Sequence, residues 1–194
     1  MPPDSPQRRA VILSYDPSWA SRGIALTEEL VRELGPLALR VDHIGSTAIP
    51  GMAAKAIFDL QIGVDDLDEA ARAFDEPLAR LGFERWPYTQ DHMPAGTEDD
   101  PVRWQKRLWS RREHSEPDVN LHVRKRGASN ERLALLFRDW FRAHPEAVPS
   151  YAGFKQLLAS AVADYDTYTD LKDPVVDLVV VMAEEWASET GWTP

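Results

Sequence analysis

Hydrophobic residues recur at helical spacing near the start of the chain and then begin to alternate with polar residues. From Pro17 to Leu34 the apolar residues recur at near-helical spacing, and the pattern ends at Gly35-Pro36. This spacing predicts a first helix. The segment from Leu37 to Ile44 alternates imperfectly and leads into Gly45-Ser46-Thr47, which predicts a strand followed by a tight turn.

Two later segments each have one apolar face and one polar face. In Ile57 to Val64 the polar positions are Asp59, Gln61 and Gly63. In Asp118 to Val123 they are Asp118, Asn120 and His122. Because side chains alternate across a strand, each segment predicts a strand with a row of polar groups that suit a metal or a polar ligand. We expect the two strands to be adjacent, with Asp59 facing the Gly45-Ser46 turn.

The segments between these strands predict a helix, a loop and a further strand. Asp65 to Leu81 is amphipathic and acidic in its first turns, with a kink expected at Pro77. Pro87 to Pro101 is rich in prolines and charges, so a mobile loop is expected there. Val102 to Trp109 then predicts a strand.

After Gly127 the chain becomes helical, with the last helix expected to begin near Pro174 and to continue to about Trp186. This order predicts an α+β fold, a mixed sheet with flanking helices and a helical carboxyl-terminal third, rather than a doubly wound sheet. The polar, proline-rich residues 1–14 are expected to form a disordered leader, and residues 15–190 a single domain.

The composition and net charge of the chain limit the kinds of ligand that we expect it to bind. The formal net charge of -10, from 32 acidic and 22 basic residues, disfavours a nucleic acid polymer but allows a small phosphorylated ligand. With no cysteine there is no thiolate metal site. The amino terminus lacks a signal-peptide pattern, and the apolar run from Leu178 to Ala183 is too short to span a membrane. We therefore expect a cytoplasmic protein, and the sequence leaves the oligomeric state open.

The stretch from His43 to Gln61 carries the most specific chemistry. Gly45 and Ser46 follow a predicted strand, and such a pair lets backbone N–H groups and a small hydroxyl approach a phosphate closely. Asp59 follows on the polar face of the next strand. Mg²⁺ binds carboxylate oxygens and usually keeps phosphate and water as its other ligands. The stretch therefore predicts a site for phosphate and a divalent metal.

This stretch resembles the signature of the nucleotidyltransferase superfamily, in which a hydrophobic residue and Gly-Ser precede a strand with two acids separated by one hydrophobic residue. The chain more specifically resembles the GrpB family. The matching motifs cover most of the chain and are Tyr15 to Trp19, His43 to Gly51, Lys55, Asn120 to Val123, Phe137 to Pro145, Tyr151 with Lys155, and Tyr168 with Lys172.

The resemblance implies a site for a nucleoside triphosphate and Mg²⁺. The residues implied in phosphate binding are Gly45, Ser46, Lys55, Arg138, Lys155 and Lys172. Those implied in metal binding are Asp59, Gln61 and Asp118, and those implied in catalysis are Asp59 and His122. Alternatives remain open: His122 is also suited to a structural hydrogen bond, Arg138 to an ion pair with Asp139, and Lys55 to closing its own loop.

One position departs from the superfamily pattern. Gln61 stands where the second acid would be, and a neutral amide binds a divalent cation weakly. Such a site would hold one metal at most. Two hypotheses follow. The chain is either a magnesium-dependent enzyme that transfers a nucleotidyl group to a small-molecule acceptor, or a nucleotide- or cofactor-binding module without catalysis.

Overall fold

The computed structural model describes residues 10–112 and 117–194 as five helices around five strands. The helices are α1 Ser18–Leu34, α2 Leu67–Arg80, α3 Ser129–Ala143, α4 Val148–Ala161 and α5 Tyr165–Thr190. The strands are β1 Arg40–Ile44, β2 Ile57–Val64, β3 Glu84–Trp86, β4 Lys106–Arg111 and β5 Asp118–Lys125. None of the helices in these residues is long and apolar enough to cross a membrane.

The strands form one mixed sheet in the order β1-β2-β5-β4-β3. β2 and β5 pair in parallel, and the other neighbours are antiparallel. The register places Asp59 beside Asn120 and Gln61 beside His122. The prediction that the two polar rows lie on adjacent strands is confirmed, as is the α+β fold with flanking helices.

The two faces of the sheet contact different helices. The apolar residues of β2 and β5 join α1 and α2 in one buried cluster, whose central members include Phe58, Leu60 and Leu121. A second cluster joins α3, α4 and α5 around Ile49 and Met52. The polar face of β2 contacts this helical part, because Gln61 donates a hydrogen bond to the Glu131 carbonyl at the start of α3. A site on that face is therefore bounded by the sheet and by the carboxyl-terminal helices.

The last helix begins nine residues before the predicted start at Pro174. The Asp164 side chain accepts a hydrogen bond from the Thr167 amide at 2.8 Å and so caps α5 at its true beginning. Pro174 lies inside the helix. The longer helix brings Tyr165, Tyr168 and Lys172 onto one helical face, since they are spaced by three and four residues.

Other boundaries differ from the sequence expectations for local reasons. Leu13 exchanges backbone hydrogen bonds of 2.8 and 2.9 Å with Ala54, so residues 10–14 belong to the fold rather than to a disordered leader. Residues 1–9 of that expected leader lie outside the described part of the chain. The single domain of residues 15–190 stays a prediction. α2 continues through Pro77.

The region expected to hold a mobile loop and one strand is built differently. β3 was not anticipated, and residues 101–104 form a short 3-10 turn because the Asp100 side chain accepts a hydrogen bond from the Val102 amide. The loop before it is tied to the sheet by Asp91, whose carboxylate contacts Lys106 at 2.7 Å and Arg124 at 2.8 Å. These buried ion pairs hold the Pro87–Pro101 segment in place.

Candidate phosphate-binding site

The turn after β1 has a backbone that only glycine accommodates without strain. Gly45 has a φ of 69°, in the left-handed region. A Cβ atom at this position would lie 2.5 Å from Asp59 Oδ2. The turn and the carboxylate are therefore in direct contact, as the sequence predicts, and Ser46 begins a single 3-10 turn immediately beyond them.

Two arginines of α3 donate hydrogen bonds to backbone carbonyls on either side of this turn. Arg142 donates to the Ala48 carbonyl at 3.1 and 2.9 Å. Arg138 donates to the His43 carbonyl at 3.1 Å and pairs with Asp139 at 2.7 Å. The Arg138 guanidinium is thus occupied by protein acceptors, and the residue is only 9% exposed. We therefore do not retain Arg138 as a phosphate ligand; it positions the turn.

Asp59 is the carboxylate at the centre of the site. Its side chain is 33% exposed, and Asn120 Nδ2 donates to Oδ1 at 2.7 Å. Burial raises the pKa of Asp59, but the contacts with His122 and Asn120 and the charge of Lys55 outweigh that effect and hold the pKa well below its usual range. Asp59 is therefore an anion, and a weak base.

His122 lies beside Asp59 but is not placed as a general base. Its Nε2 atom is 3.9 Å from Asp59 Oδ1, and its Nδ1 atom is 3.4 Å from Arg124 Nη2. Because a guanidinium only donates, Nδ1 is the acceptor and Nε2 carries the proton. Burial, followed by the charge of Arg124, lowers the pKa of His122. The ring is a neutral donor directed towards Asp59.

The amide oxygens near Asp59 are taken by arginines. Gln61 is fully buried, and its Oε1 accepts from Arg124 Nη1 at 2.5 Å. The Asn120 Oδ1 atom accepts a hydrogen bond from Arg112. An oxygen that accepts from a guanidinium in this way is a poor ligand for a second cation. We therefore do not retain Gln61 as a metal ligand.

Asp118 also lies outside the centre of the site. It is the first residue of β5 and pairs with Ile57, whereas Asn120 is the residue beside Asp59. Across residues 10–112 and 117–194, no three His, Asp or Glu side chains converge as a metal centre. Among these described residues Asp59 is the one carboxylate at the turn, so they lack the second acid of the superfamily signature and do not fit a two-metal centre.

Lysines from three different elements converge on this turn. Lys155 of α4 is 2% exposed and donates to Ser46 Oγ at 2.8 Å. Lys55 precedes β2 and lies 3.8 Å from the centre of the Tyr165 ring. Lys172 of α5 lies near Lys55, whose charge contributes to the lowering of the Lys172 pKa. The structure thus brings together the three lysines that the sequence analysis selected.

The lysines depress one another's affinity for protons. Burial, followed by the charges of Lys172 and Lys55, lowers the pKa of Lys155 from 10.5 to about 7. Burial lowers the pKa of Lys55 to about 8, although Asp59 opposes the change. Burial and then Lys55 lower the pKa of Lys172. Burial is the main cause of these shifts, and the repulsion between the lysines adds to it, although Asp59 and, at Lys172, Asp173 oppose it.

Two residues of the site were missed by the sequence analysis. Arg112, at the end of β4, donates to Asn120 and to the Val119 carbonyl, and its charge lowers the pKa of Lys55. Tyr165 lies beneath the Lys55 ammonium. Tyr165 is three residues before Tyr168 and seven before Lys172, so the three residues share one face of a helix. This relation is visible in the sequence only if the last helix begins at Tyr165 rather than at Pro174.

This chain is similar in sequence to one family of proteins. The family model described as "GrpB protein" matches residues 9–181. A protein named dephospho-CoA kinase from Mycolicibacterium paratuberculosis is 35% identical over 92% of this chain and 47% of its own length. A UPF0157 protein from Halalkalibacterium halodurans is 31% identical over 89% of this chain and 81% of its own length. This chain thus spans about half the length of the kinase-named relative.

The fold is also found in a solved structure. The crystal structure of the conserved protein GrpB from Enterococcus faecalis superposes with a TM-score of 0.72 at 25% sequence identity. The superposition covers 91% of this chain and 99% of the other. From the family model and these relatives, the chain belongs to the GrpB family.

Proposed function

We propose that the site at the Gly45-Ser46 turn binds the phosphate groups of a small nucleotide. The observation that carries the proposal is the convergence of Lys55, Lys155 and Lys172 on a turn whose serine hydroxyl already contacts one of them at 2.8 Å. Ammonium groups are hydrogen-bond donors that suit phosphate oxygens, and partial burial strengthens their attraction for an anion. The acidic protein therefore carries a local cationic site.

Nucleotide binding without catalysis agrees best with the side chains around Asp59. A general base needs a free lone pair and a pKa near the working pH. Asp59 has a pKa far below that range, and the free lone pair of His122 faces Arg124. Neither Asp59 nor His122 is therefore suited to accept a substrate proton, whereas Lys155 and the His122 ring supply donors for an anion.

Magnesium-dependent nucleotidyl transfer to a small-molecule acceptor is the second candidate. It is favoured by one observation, the ionised and partly exposed Asp59 in contact with the turn. One carboxylate together with nucleotide phosphates is the smallest ligand set with which Mg²⁺ is usually held. The two candidates differ in whether a product forms.

The test is a calorimetric titration with nucleoside mono-, di- and triphosphates, followed by mass spectrometry of mixtures with candidate acceptors. We expect affinity to increase with the number of phosphates and to fall at least tenfold in Lys155→Met. Lys125→Met is the matched control, because Lys125 is exposed at the end of β5. Equal affinity of the two variants would contradict the proposed site, and a nucleotidylated product would favour the transferase.

A further inference from the structure

The chemistry of the Asp59 site differs from that of a metal centre in its supply of oxygen ligands. Gln61 Oε1 accepts from Arg124 at 2.5 Å, and Asn120 Oδ1 accepts from Arg112. One oxygen of Asp59 accepts from Asn120 at 2.7 Å. The other lies against Gly45. Among the described residues, Asp59 is therefore left as the main oxygen ligand for a hard cation, whereas Mg²⁺ prefers six oxygen ligands.

The positive charges around Asp59 also disfavour a divalent cation. Lys55, Lys155 and Lys172 are near neighbours of one another and of Asp59, and Arg112 is a near neighbour of Lys55. His122 adds no negative charge, since its ring is neutral. A divalent cation at Asp59 would be repelled by these groups across a partly buried space, where charge interactions are stronger than in water.

We infer that this site takes its nucleotide as the metal-free polyphosphate anion, with Lys55, Lys155 and Lys172 supplying the positive charge that divalent cations supply in a two-metal centre. The inference rests on the proposed phosphate-binding function. Chelation by Mg²⁺ cancels part of the charge of a triphosphate, so the free anion is the better complement to this cluster. The lysine donors also adapt to phosphate oxygens without the fixed octahedral geometry that Mg²⁺ demands.

Asp59 has a particular place in this arrangement. In a metal centre it would be the essential ligand, and its removal would abolish nucleotide binding. In a site built on ammonium groups, its negative charge repels the phosphates and partly neutralises Lys55. Loss of that charge is then expected to strengthen the binding of a metal-free anion. Removal of the Asp59 charge is thus expected to weaken nucleotide binding in a metal centre and to strengthen it in a site built on ammonium groups.

The experiment compares inorganic tripolyphosphate and ATP as ligands in isothermal titration calorimetry, once with excess EDTA and once with excess Mg²⁺. We expect the affinity in EDTA to equal or exceed the affinity in Mg²⁺. An affinity at least tenfold lower in EDTA would overturn the inference while leaving the proposed phosphate-binding function intact. An absence of binding under both conditions would instead overturn the proposed function.

The variants are Asp59→Asn, Lys155→Met and the exposed control Lys125→Met, each checked for its fold by circular dichroism. In EDTA we expect Asp59→Asn to bind tripolyphosphate at least threefold more tightly than the unmodified protein. Loss of binding in a folded Asp59→Asn protein would contradict the inference. If Asp59→Asn fails to fold, direct titration of the unmodified protein with Mn²⁺ decides instead: saturable binding at Asp59 below millimolar concentration would overturn the inference, and its absence would support it.

Discussion

Replacement of the buried Lys155 by methionine is expected to make the ligand-free protein more stable. Met has a similar length and shape but no charge, so it retains much of the packing against Tyr151. Lys155 is 2% exposed, with a pKa lowered from 10.5 to about 7 by burial and by the charges of Lys172 and Lys55. A charge that is disfavoured in the folded state reduces the free energy of unfolding.

The size of the effect follows from the pKa of Lys155. Since one pKa unit corresponds to about 1.4 kcal/mol, the shift from 10.5 to about 7 amounts to a penalty of about 4 kcal/mol at neutral pH. Loss of the hydrogen bond to Ser46 offsets about 1 kcal/mol of the gain. We expect Lys155→Met to raise the free energy of unfolding by about 2 to 3 kcal/mol, or the Tm by roughly 4 to 12 °C.

The pH dependence gives the stricter test. The folded pKa of Lys155 lies below the unfolded value, so the unfolded chain binds more protons above pH 7 and the stability of the unmodified protein rises with pH. Urea unfolding between pH 7 and 9 avoids the titration of Tyr165 and Tyr168, whose pKa values are raised by burial. Lys155→Met should reduce this rise and Lys125→Met should not. A less stable Lys155→Met protein, or one with an unchanged pH slope, would refute the reasoning.

Three further predictions concern the same site. Gly45→Ala should lower the free energy of unfolding in urea by at least about 1 kcal/mol more than Gly51→Ala, since both have positive φ but only the Gly45 Cβ would meet Asp59, at 2.5 Å; equal losses would contradict the contact. Gln61→Glu should gain no Mn²⁺ affinity in a direct titration, because the new carboxylate would pair with Arg124; measurable binding would restore this position as a metal ligand. Tripolyphosphate affinity should fall as the pH is raised from 7 to 9, because Lys155 and Lys55, with pKa values of about 7 and 8, lose the protons that attract the anion; a flat calorimetric profile would argue that other groups bind it.

The sheet part of the site could be predicted because alternation is a local property of the sequence. Asp59 on β2 faces the Gly45 turn, and His122 lies on the neighbouring strand, both as expected. Side-chain contacts across distant elements leave no such periodic signal. That Arg124 occupies the oxygen of Gln61 depends on the register of β2 and β5, which alternation alone does not determine.

The helical part of the site was predicted less completely for a different reason. Pro174 is favourable in a first helical turn, and this preference suggested the wrong start for α5. The capping hydrogen bond from the Thr167 amide to Asp164 is the stronger determinant here. Lys172 could still be selected from its motif, whereas Tyr165 required knowledge of where the helix begins. The ion pair of Arg138 with Asp139 was one of the alternatives that the sequence left open, whereas its contact with the His43 carbonyl, 95 residues away in the chain, leaves no local signal.

The parallel pairing of β2 and β5 has a consequence for how the protein folds. The hydrogen bond between Asn120 and Asp59 joins residues 61 positions apart, and α2, β3 and β4 all lie between the two strands. Closing so long a loop costs entropy before any contact compensates, which makes such pairings slow to form. We expect the β1–β2 hairpin and α2 to acquire structure earlier. In a refolding experiment, recovery of ligand binding should therefore be a late event that reports the docking of β5 against β2.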